Sequence, residues 1–455
     1  MITRTQARVA ERQRRAATRS LRADALVAAV WFAAAVGVAL NIASGGLLFT
    51  GPTSVVRESG RLLGIVTAVL MMSQVLLASR APWIDRVIGH DAAIARHALL
   101  GKYALLLMIP HAGLVTLATS RELSQGLVEA FLGLASGSGA MLAVEIAAAM
   151  FLAVLATSLT AAVRRWHYET WHTVHRLVYV AIALAVPHQF LEGETFRRGG
   201  VSWVFWFAMY VVAFGSFVVF RMARPLVLAA NHRAKVASVV VGGDGSATVT
   251  IRGRGLRGLG ARPGQFLLWR FYTPRLFWQK HPYSLSSAPR GDEVRITVKP
   301  SGRGSSAVAH VRPGTAVTFE GPLGVFTHDA RTRNALVLVA AGIGVTPIRA
   351  MLEHVVPGEP CTVVIRARSI EEAPLLDEVR DLARDRGAEL RVVVGPRGET
   401  WGTDGEPGSI ADLVDDPADA DVFVCGPLEW AAQVEQDALR AGVAPEAIHR
   451  ERFGW

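Results

Sequence analysis

Four histidines stand in stretches that are otherwise apolar: His97 and His111 within residues 97–118, and His175 and His188 within residues 171–190. An imidazole without a partner is costly in hydrocarbon, so each marks a functional position by default. The first two are fourteen residues apart and the second two thirteen. At about 1.5 Å per helical residue, each pair is separated by roughly 20 Å. If both stretches cross a membrane in the same direction, His97 stands beside His175 and His111 beside His188, at two depths. Neutral imidazole is a normal axial ligand of haem iron, and two facing imidazoles make a bis-histidine site. The spacing therefore points to two haems at different depths. A single histidine in a span often only bonds a neighbouring helix, which explains four at matched depths poorly. Thirteen residues return less well than fourteen to one helix face, so a straight second helix would not serve. Pro110 before His111 and Pro187 before His188 each remove a backbone hydrogen bond and bend a helix, which can re-aim the outer rings. His172, one turn before His175, competes for the inner position. Lys102, Arg96 and Arg176 are candidates to neutralise propionates, although snorkelling explains them equally well.

Such ligands need a bundle to hold them. Six apolar windows supply one, at residues 24–48, 61–79, 97–118, 141–163, 171–190 and 201–221. The chain of 455 residues is 51% apolar, high for a purely soluble protein. Its net charge of +10 is concentrated partly in an N-terminal run of Arg4, Arg8, Arg12, Arg14, Arg15, Arg19 and Arg22. With spans directly behind it, that run suits anionic lipid better than nucleic acid. The apolar run that follows is longer than a signal-peptide core and reads as a retained helix. Arginines on alternate loops (Arg80, Arg86 and Arg96; Arg164 and Arg165; Arg221 and Arg224) place both termini on the cytoplasmic side of a cell membrane. Only Cys361 and Cys425 occur, which excludes a disulfide framework, a zinc cluster and a four-cysteine iron-sulfur centre.

After Arg221 the texture changes. Short β segments (ASVVVGG, ATVTIRG, QFLLWRF, EVRITVK, AVTFEG) between Gly and Pro turns predict a small antiparallel β-barrel. From about Ala335 strands alternate with helices, which predicts an α/β domain with a parallel sheet. The expected domains are thus a basic cytoplasmic tail over 1–23, a transmembrane domain over 24–222, a β-barrel domain over 231–330 and an α/β domain over 331–455.

Three motifs carry the chemistry of this half. In HPYSLSS, Tyr283 offers a flat face for an isoalloxazine, Ser284 a hydroxyl for a ring nitrogen and His281 a donor for phosphate or ribitol oxygens. In KPSGRGSS, Gly304 allows close approach, Ser305 and Ser306 open a helix toward pyrophosphate, and Lys299 or Arg303 adds charge. In AGIGVTP, Gly342 and Gly344 make a tight turn whose amides face a phosphate-bearing ligand, without the third glycine of a dinucleotide fingerprint. Arg366, Arg368 and Ser369, after the next strand, suit an adenosine 2′-phosphate and favour NADPH over NADH.

Together these residues resemble the ferric reductase and NADPH oxidase superfamily, over almost the whole chain beyond the tail. The resemblance implies two b-type haems between the third and fifth helices, held by His97, His111, His175 and His188. It implies an FAD module in the His-Pro form, with His281, Pro282, Tyr283 and Ser284 on the flavin. It also implies a nicotinamide site in which Thr346 and Pro347 complete the glycine turn and Cys425, Gly426 and Pro427 form a Cys-Gly-Pro motif, with the thiol near the nicotinamide. A C-terminal aromatic covers the flavin face in relatives, which points to Trp455, with Phe453 as substitute. Cys425, Ser284 and Trp455 are accordingly the residues expected at the reacting atoms. Oxygen-reducing relatives carry a second histidine one turn past the outer ligand of the third helix, where this chain has Val115. The expected activity is electron transfer from cytoplasmic NAD(P)H, through FAD and two haems, to dioxygen or a ferric complex outside, where Arg57 is expected to attract an anion. Delivery to a protein partner is the alternative.

Overall fold

The computed structural model describes residues 4–158, 168–193, 196, 200–406 and 408–452. They form two compact units, one of residues 24–81 and 93–221 and the other of 1–23, 82–92 and 222–455. The first half of the chain is helical: α1 Arg4–Ala43, α2 Pro52–Ala78, α3 Pro82–Ile88, α4 His90–Leu123, α5 Leu127–Gly137, α6 Gly139–Ser158, α7 Tyr168–His175, α8 Leu177–Leu191, α9 Val201–Ser216, a π-helical stretch Phe217–Ala223 and α10 Arg224–His232. Among the described residues, six stretches are long and apolar enough to cross a membrane. Each overlaps one of the six windows, but the first begins well before its window, at Ala7, the second and third start several residues early, at Pro52 and His90, and the sixth stays helical to His232. The short apolar α5, absent from the sequence expectation, lies between the third and fourth. In this unit Ile65, Val69 and Met72 of α2 pack with Phe151 of α6, Ala181 of α8 and Trp206 and Tyr210 of α9. Leu106, Ile109, Val180 and Val211 are exposed, as helix faces solvated by lipid must be.

The fifth span is divided in two: helix α7 ends at His175 and α8 begins at Leu177, with Arg176 between them itself in helical conformation and its amide bonded to the His172 carbonyl (3.2 Å). Pro187 lies inside α8 and Pro110 inside α4.

In the second unit, β1 Lys235–Val241, β2 Ala247–Arg252 and β5 Glu293–Val298 form one antiparallel sheet in the order β1-β2-β5. Strands β3 Phe266–Phe271, β4 His281–Ser284 and β6 Val317–Leu323 form another, in the order β4-β3-β6. Alternation in β2, with Ala247, Val249 and Ile251 inward, shows why these segments become half-buried strands. The two sheets enclose Val249, Ile251, Trp269, Phe271, Ile296 and Phe319. They do not close into the expected barrel. Only isolated bridges, Lys235 with Ala316 and Leu285 with Ile296, join them. The edge strand β4 is four residues long and contains Pro282, which has no N–H to offer a further ladder. A short helix, α11 Arg303–Val308, follows β5.

Next comes a five-stranded parallel sheet in the order β11-β10-β7-β8-β9, made of β7 Ala335–Ala341, β8 Cys361–Ala367, β9 Glu389–Val394, β10 Ala420–Gly426 and β11 Ile448–Arg452. Helices α12 Val345–Leu352, α13 Leu376–Arg386 and α14 Leu428–Arg440 connect the strands. The unbroken apolar runs of β7, β8 and β10 are buried because both faces of the sheet are covered. Strand order reverses between β7 and β10. In sheets of this kind the ligand crevice opens at that switch point, beyond the carboxyl ends of the strands.

Two segments remote in sequence complete this unit. The basic N-terminal run is helix, and its arginines bind protein: Arg12 donates to Glu359 (2.8 Å) and to the Arg333 carbonyl (3.0 Å), and Arg19 to the Asp329 carbonyl (3.2 Å). Residues 82–92 pack on the β4-β3-β6 sheet, where the Gly324 amide donates to Asp85 (3.2 Å) and His90 stands edge-on to Phe266. Burial lifts the Asp85 carboxyl to about 7, against the pull of that bond and with the help of Asp91.

His328 gives the unit a predictable acid limit. Burial lowers its imidazole to about 4, although its ring bonds the Met351 carbonyl, and Arg331 adds to the lowering. An unfolded histidine titrates near 6.5, so between these values the unfolded chain binds more protons. The stability contribution is whole above about 6.5 and is lost as pH falls toward 4. His328→Gln is therefore expected to flatten the decline in thermal midpoint between pH 6.5 and pH 4, measured on detergent-solubilised protein.

Candidate functional site

In the membrane unit the inner pair meets directly. The ring centroids of His97 and His175 lie 6.2 Å apart, with planes at 77°. A metal-imidazole bond of about 2 Å on each side of one iron, plus the distance from nitrogen to ring centre, requires about that separation. The Nδ1 atoms are arranged to leave Nε2 for a metal. His97 Nδ1 bonds the Gln74 carbonyl (3.3 Å), His111 Nδ1 the Gly60 carbonyl (2.8 Å) and His188 Nδ1 the Ala185 carbonyl. Bonds of this kind fix the tautomer of a ligating histidine. His175 Nδ1 is buried with no hydrogen-bond partner, and its ring stacks on Trp171 at 5.2 Å. Gly64 makes the cradle for His111, since a Cβ there would lie 2.7 Å from the imidazole. Arg96 has a buried Nη1 without a partner, while Lys102 and Arg176 are exposed. His97, His111, His175 and His188 are thus imidazoles of the kind that could hold haem iron. No cluster of three or more His, Cys, Asp or Glu side chains suited to a metal occurs among the described residues.

Val115 packs against α2, where a Cβ on Gly60 would meet it at 3.2 Å. The anion-attracting role expected of Arg57 is corrected, because its guanidinium is ion-paired with Glu122.

In the second unit, Ser284 is 3% exposed and its hydroxyl has no hydrogen-bond partner. A buried hydroxyl left unmatched this way fits a flavin ring nitrogen. The His281 and Tyr283 rings lie parallel at 5.9 Å, and Pro282 between them pairs with Leu268 of β3. Burial pushes the Tyr283 phenol well above its usual range, so it presents a neutral face. Gly304 is small for the sake of His281, whose ring a Cβ would meet at 2.8 Å. Ser305 faces its own loop: its Oγ accepts from the Ser301 and Gly302 amides, each at 3.0 Å. Ser306 stands beside it in α11, and Lys299, before the loop, is half-buried.

The nicotinamide motifs converge on the switch point. Gly342 has φ +54° with open space around its Cβ position, a conformation glycine adopts freely. Gly344 is pressed on the other motif, since a Cβ there would lie 2.1 Å from the Cys425 carbonyl oxygen. Thr346 closes the turn by donating to the Ile343 carbonyl (3.0 Å), and Pro347 lies in the first turn of α12. Gly426 lies against the Trp430 ring, and Pro427 precedes α14. Burial, then the nearby Glu451, pushes the Cys425 thiol well above its ordinary range, so it is a neutral group. Arg366 requires a correction. It is buried, and its guanidinium donates to the carbonyls of Gly402, Ala367 and Pro396. It thus braces the loop after β9, and only exposed Arg368 and half-buried Ser369 are left to meet a 2′-phosphate. Trp455 and Phe453 lie outside the described residues.

Sequence reasoning missed Glu451, which is buried opposite Cys425 in the β10–β11 register and lifted well above a normal carboxylate by burial, then by Asp91 and Asp85. It also missed Arg349. The one signal for Arg349 was a charge two residues past the Thr-Pro pair, on a helix otherwise apolar.

What decides the family is the order of three matches along one chain. Residues 63–186 match the ferric reductase like transmembrane component, 232–325 an FAD-binding domain and 338–436 the oxidoreductase NAD-binding domain. The chain has the domain architecture of the ferric reductase and NADPH oxidase superfamily. This ferric reductase-like chain joins membrane-spanning helices to FAD-binding and NAD-binding oxidoreductase domains. Its reductase half is similar to a flavohemoprotein of Oceanobacillus iheyensis, 32% identical over 208 residues, covering 42% of this chain and 51% of the relative. A flavohemoprotein of Chromobacterium violaceum is 35% identical over 216 residues, covering 42% and 53%. The chain thus spans about half the length of the curated relatives it matches. Among solved structures, the flavohem-like FAD/NAD binding domain of a Vibrio cholerae nitric oxide dioxygenase is 26% identical, covering 49% of this chain and 99% of that one, with a TM-score of 0.42.

Proposed function

We propose that the protein carries electrons across the cell membrane from cytoplasmic NAD(P)H, through FAD and two b-type haems, to an acceptor outside, either a ferric complex or dioxygen. The observation that carries this reading is the 6.2 Å separation of the His97 and His175 rings. His111 and His188, each anchored through Nδ1, would hold the outer haem, and His97 and His175 the inner one. Stacking on Trp171 and the meeting with His97 favour His175 over His172. When bound, FAD supplies the change from hydride to single electrons, and the haems supply single-electron carriage.

The chain's own residues bind and orient. Ser284 offers its unmatched hydroxyl to the flavin ring, Tyr283 its face, and His281 a donor to the phosphate or ribitol side. Gly342 exposes its amide, and the contact of Gly344 with Cys425 holds the nicotinamide turn against the Cys-Gly-Pro strand end. Cys425, neutral and small, shapes the nicotinamide side without a charge. Arg368 and Ser369 favour NADPH. Trp455 is proposed to cover the flavin face. The tail, membrane, FAD and NAD(P)H domains are proposed at 1–23, 24–222, 231–330 and 331–455, with both termini cytoplasmic.

Val115, apolar where oxygen-reducing relatives have histidine, favours the ferric acceptor. Purified protein is expected to oxidise NADPH slowly alone and at least about tenfold faster with ferric citrate, a difference of about 1.4 kcal/mol in barrier. Dye reduction sensitive to superoxide dismutase, at an unchanged rate with ferric citrate, would reverse that choice. A rate that responds to neither would point to a protein acceptor.

A further inference from the structure

One heavily braced charged group of the reductase unit belongs to none of the cofactor motifs. Arg349, on α12, is 7% exposed. Its Nε donates to Glu378 (2.7 Å), and its Nη1 to Glu353 (2.6 Å) and to the Ser286 carbonyl (3.0 Å). The same Ser286 carbonyl accepts from Arg295 of β5 (3.1 Å), and Arg295 also grips Glu378 with two bonds of 2.7 and 3.1 Å. Glu353 in turn accepts from the Ala288 amide (2.7 Å) and from Arg290 (2.9 Å). Burial works against the charge on Glu378, but the bonds and charge of Arg295, then those of Arg349, hold its carboxyl below the usual range.

The two ends of this network are informative. Ser286 is two residues past Ser284, on the continuation of the flavin strand, and Arg349 is five residues past Gly344, on the helix that begins at the nicotinamide turn. Arg349 thus reaches the flavin motif only at the Ser286 backbone carbonyl, and through that carbonyl and two carboxylates it ties the motif to the helix of the nicotinamide turn. A planar guanidinium with bonds in three directions fixes orientation as well as distance, which an ammonium cannot do. The four charged partners lie on separate elements: Arg295 on β5, Arg290 in the turn before it, Glu353 just after α12 and Glu378 on α13.

We propose that Arg349 is a positioning residue for hydride transfer, setting the spacing and angle between the flavin strand and the nicotinamide turn through Ser286, Glu353 and Glu378. This role rests on the reading that FAD and NAD(P)H occupy the two motifs. Misplacing reacting groups by about 1 Å can lower a rate about 100-fold without changing the chemistry, so a defect is expected in the rate at saturation and not in affinity.

The test uses the full chain loaded with FAD, mixed anaerobically with NADPH while the flavin absorbance is followed. Arg349→Gln is expected to retain its FAD and to bind NADPH within about threefold of wild type, yet to reduce the flavin about 10- to 100-fold more slowly at saturation. Arg349→Lys is expected to recover only part of the rate. A wild-type rate in flavin-loaded Arg349→Gln, or one restored by more NADPH, overturns the proposal. If Arg349→Gln yields no flavin-loaded protein, Glu378→Gln, which loosens Arg349 and Arg295 while keeping Glu353, is read in the same way. A wild-type protein that holds FAD but is reduced by neither NADPH nor NADH refutes the cofactor reading itself, and the positional role falls with it.

Discussion

His111→Ala is expected to remove one of two b-type signals from the reduced-minus-oxidised spectrum while the signal assigned to His97 and His175 stays. NADPH-driven reduction of an impermeant acceptor in sealed vesicles should fall at least about 100-fold, since even the loss of a group supporting a ligand costs 10- to 100-fold. Reduction of ferricyanide by the reductase module should stay within about twofold of wild type. A spectrum identical to wild type would remove the outer site from the proposal. Gly64 offers a milder route to the same ring. Its missing side chain leaves the space that the imidazole fills, and a Cβ would stand 2.7 Å from it. Gly64→Ala should therefore shift or weaken the same signal with the ligand still present.

The second large effect is expected at Gly344. A methyl group there would lie 2.1 Å from the Cys425 carbonyl oxygen and 2.5 Å from its carbon. Neither is the free end of a flexible side chain, so α12 or the end of β10 must move. Overpacking of this kind typically costs about 1–3 kcal/mol, and the displacement falls where geometry governs the rate. Gly344→Ala is expected to lower flavin reduction by NADPH about 100-fold or more. Gly342→Ala is the comparison: with φ +54° and open space, it meets only backbone strain of about 1–2 kcal/mol and should lose less activity than Gly344→Ala. Equal activity in the two variants would show that the contact with Cys425 is unimportant.

The sequence made the spans legible because hydrocarbon demands long apolar runs, and six were found among the described residues, each overlapping an expected one. The parallel sheet was legible for a related reason, as continuous apolar strands such as β7 survive only when buried on both faces. Sheet closure was not legible. Alternation in β2 specifies an inward face but says nothing about whether an edge strand containing Pro282 finds a partner. The phase of the fifth span was foreseen as a difficulty and traced to prolines, whereas the span is also divided at Arg176, next to no proline or glycine. Site residues within short motifs were visible because their spacing is local. Arg349, Glu378 and Arg295 were not, since only folding brings the two arginines to one carbonyl and to the Glu378 carboxylate. Arg366 misled for the opposite reason: a strand-end arginine suits a phosphate, and its burial against three carbonyls cannot be read from its neighbours in sequence.

The packing of residues 82–92 on the β4-β3-β6 sheet bears on how the enzyme can be dissected. A truncated chain beginning near residue 222 would keep every flavin and nicotinamide motif yet lose Asp85 from the Gly324 amide and His90 from the Phe266 ring. Those groups lie on the flavin-strand sheet, so the excised fragment would meet water with an uncovered flank. Kinetics measured on it would describe a differently bounded protein, unless the missing segment of residues 82–92 were supplied alongside.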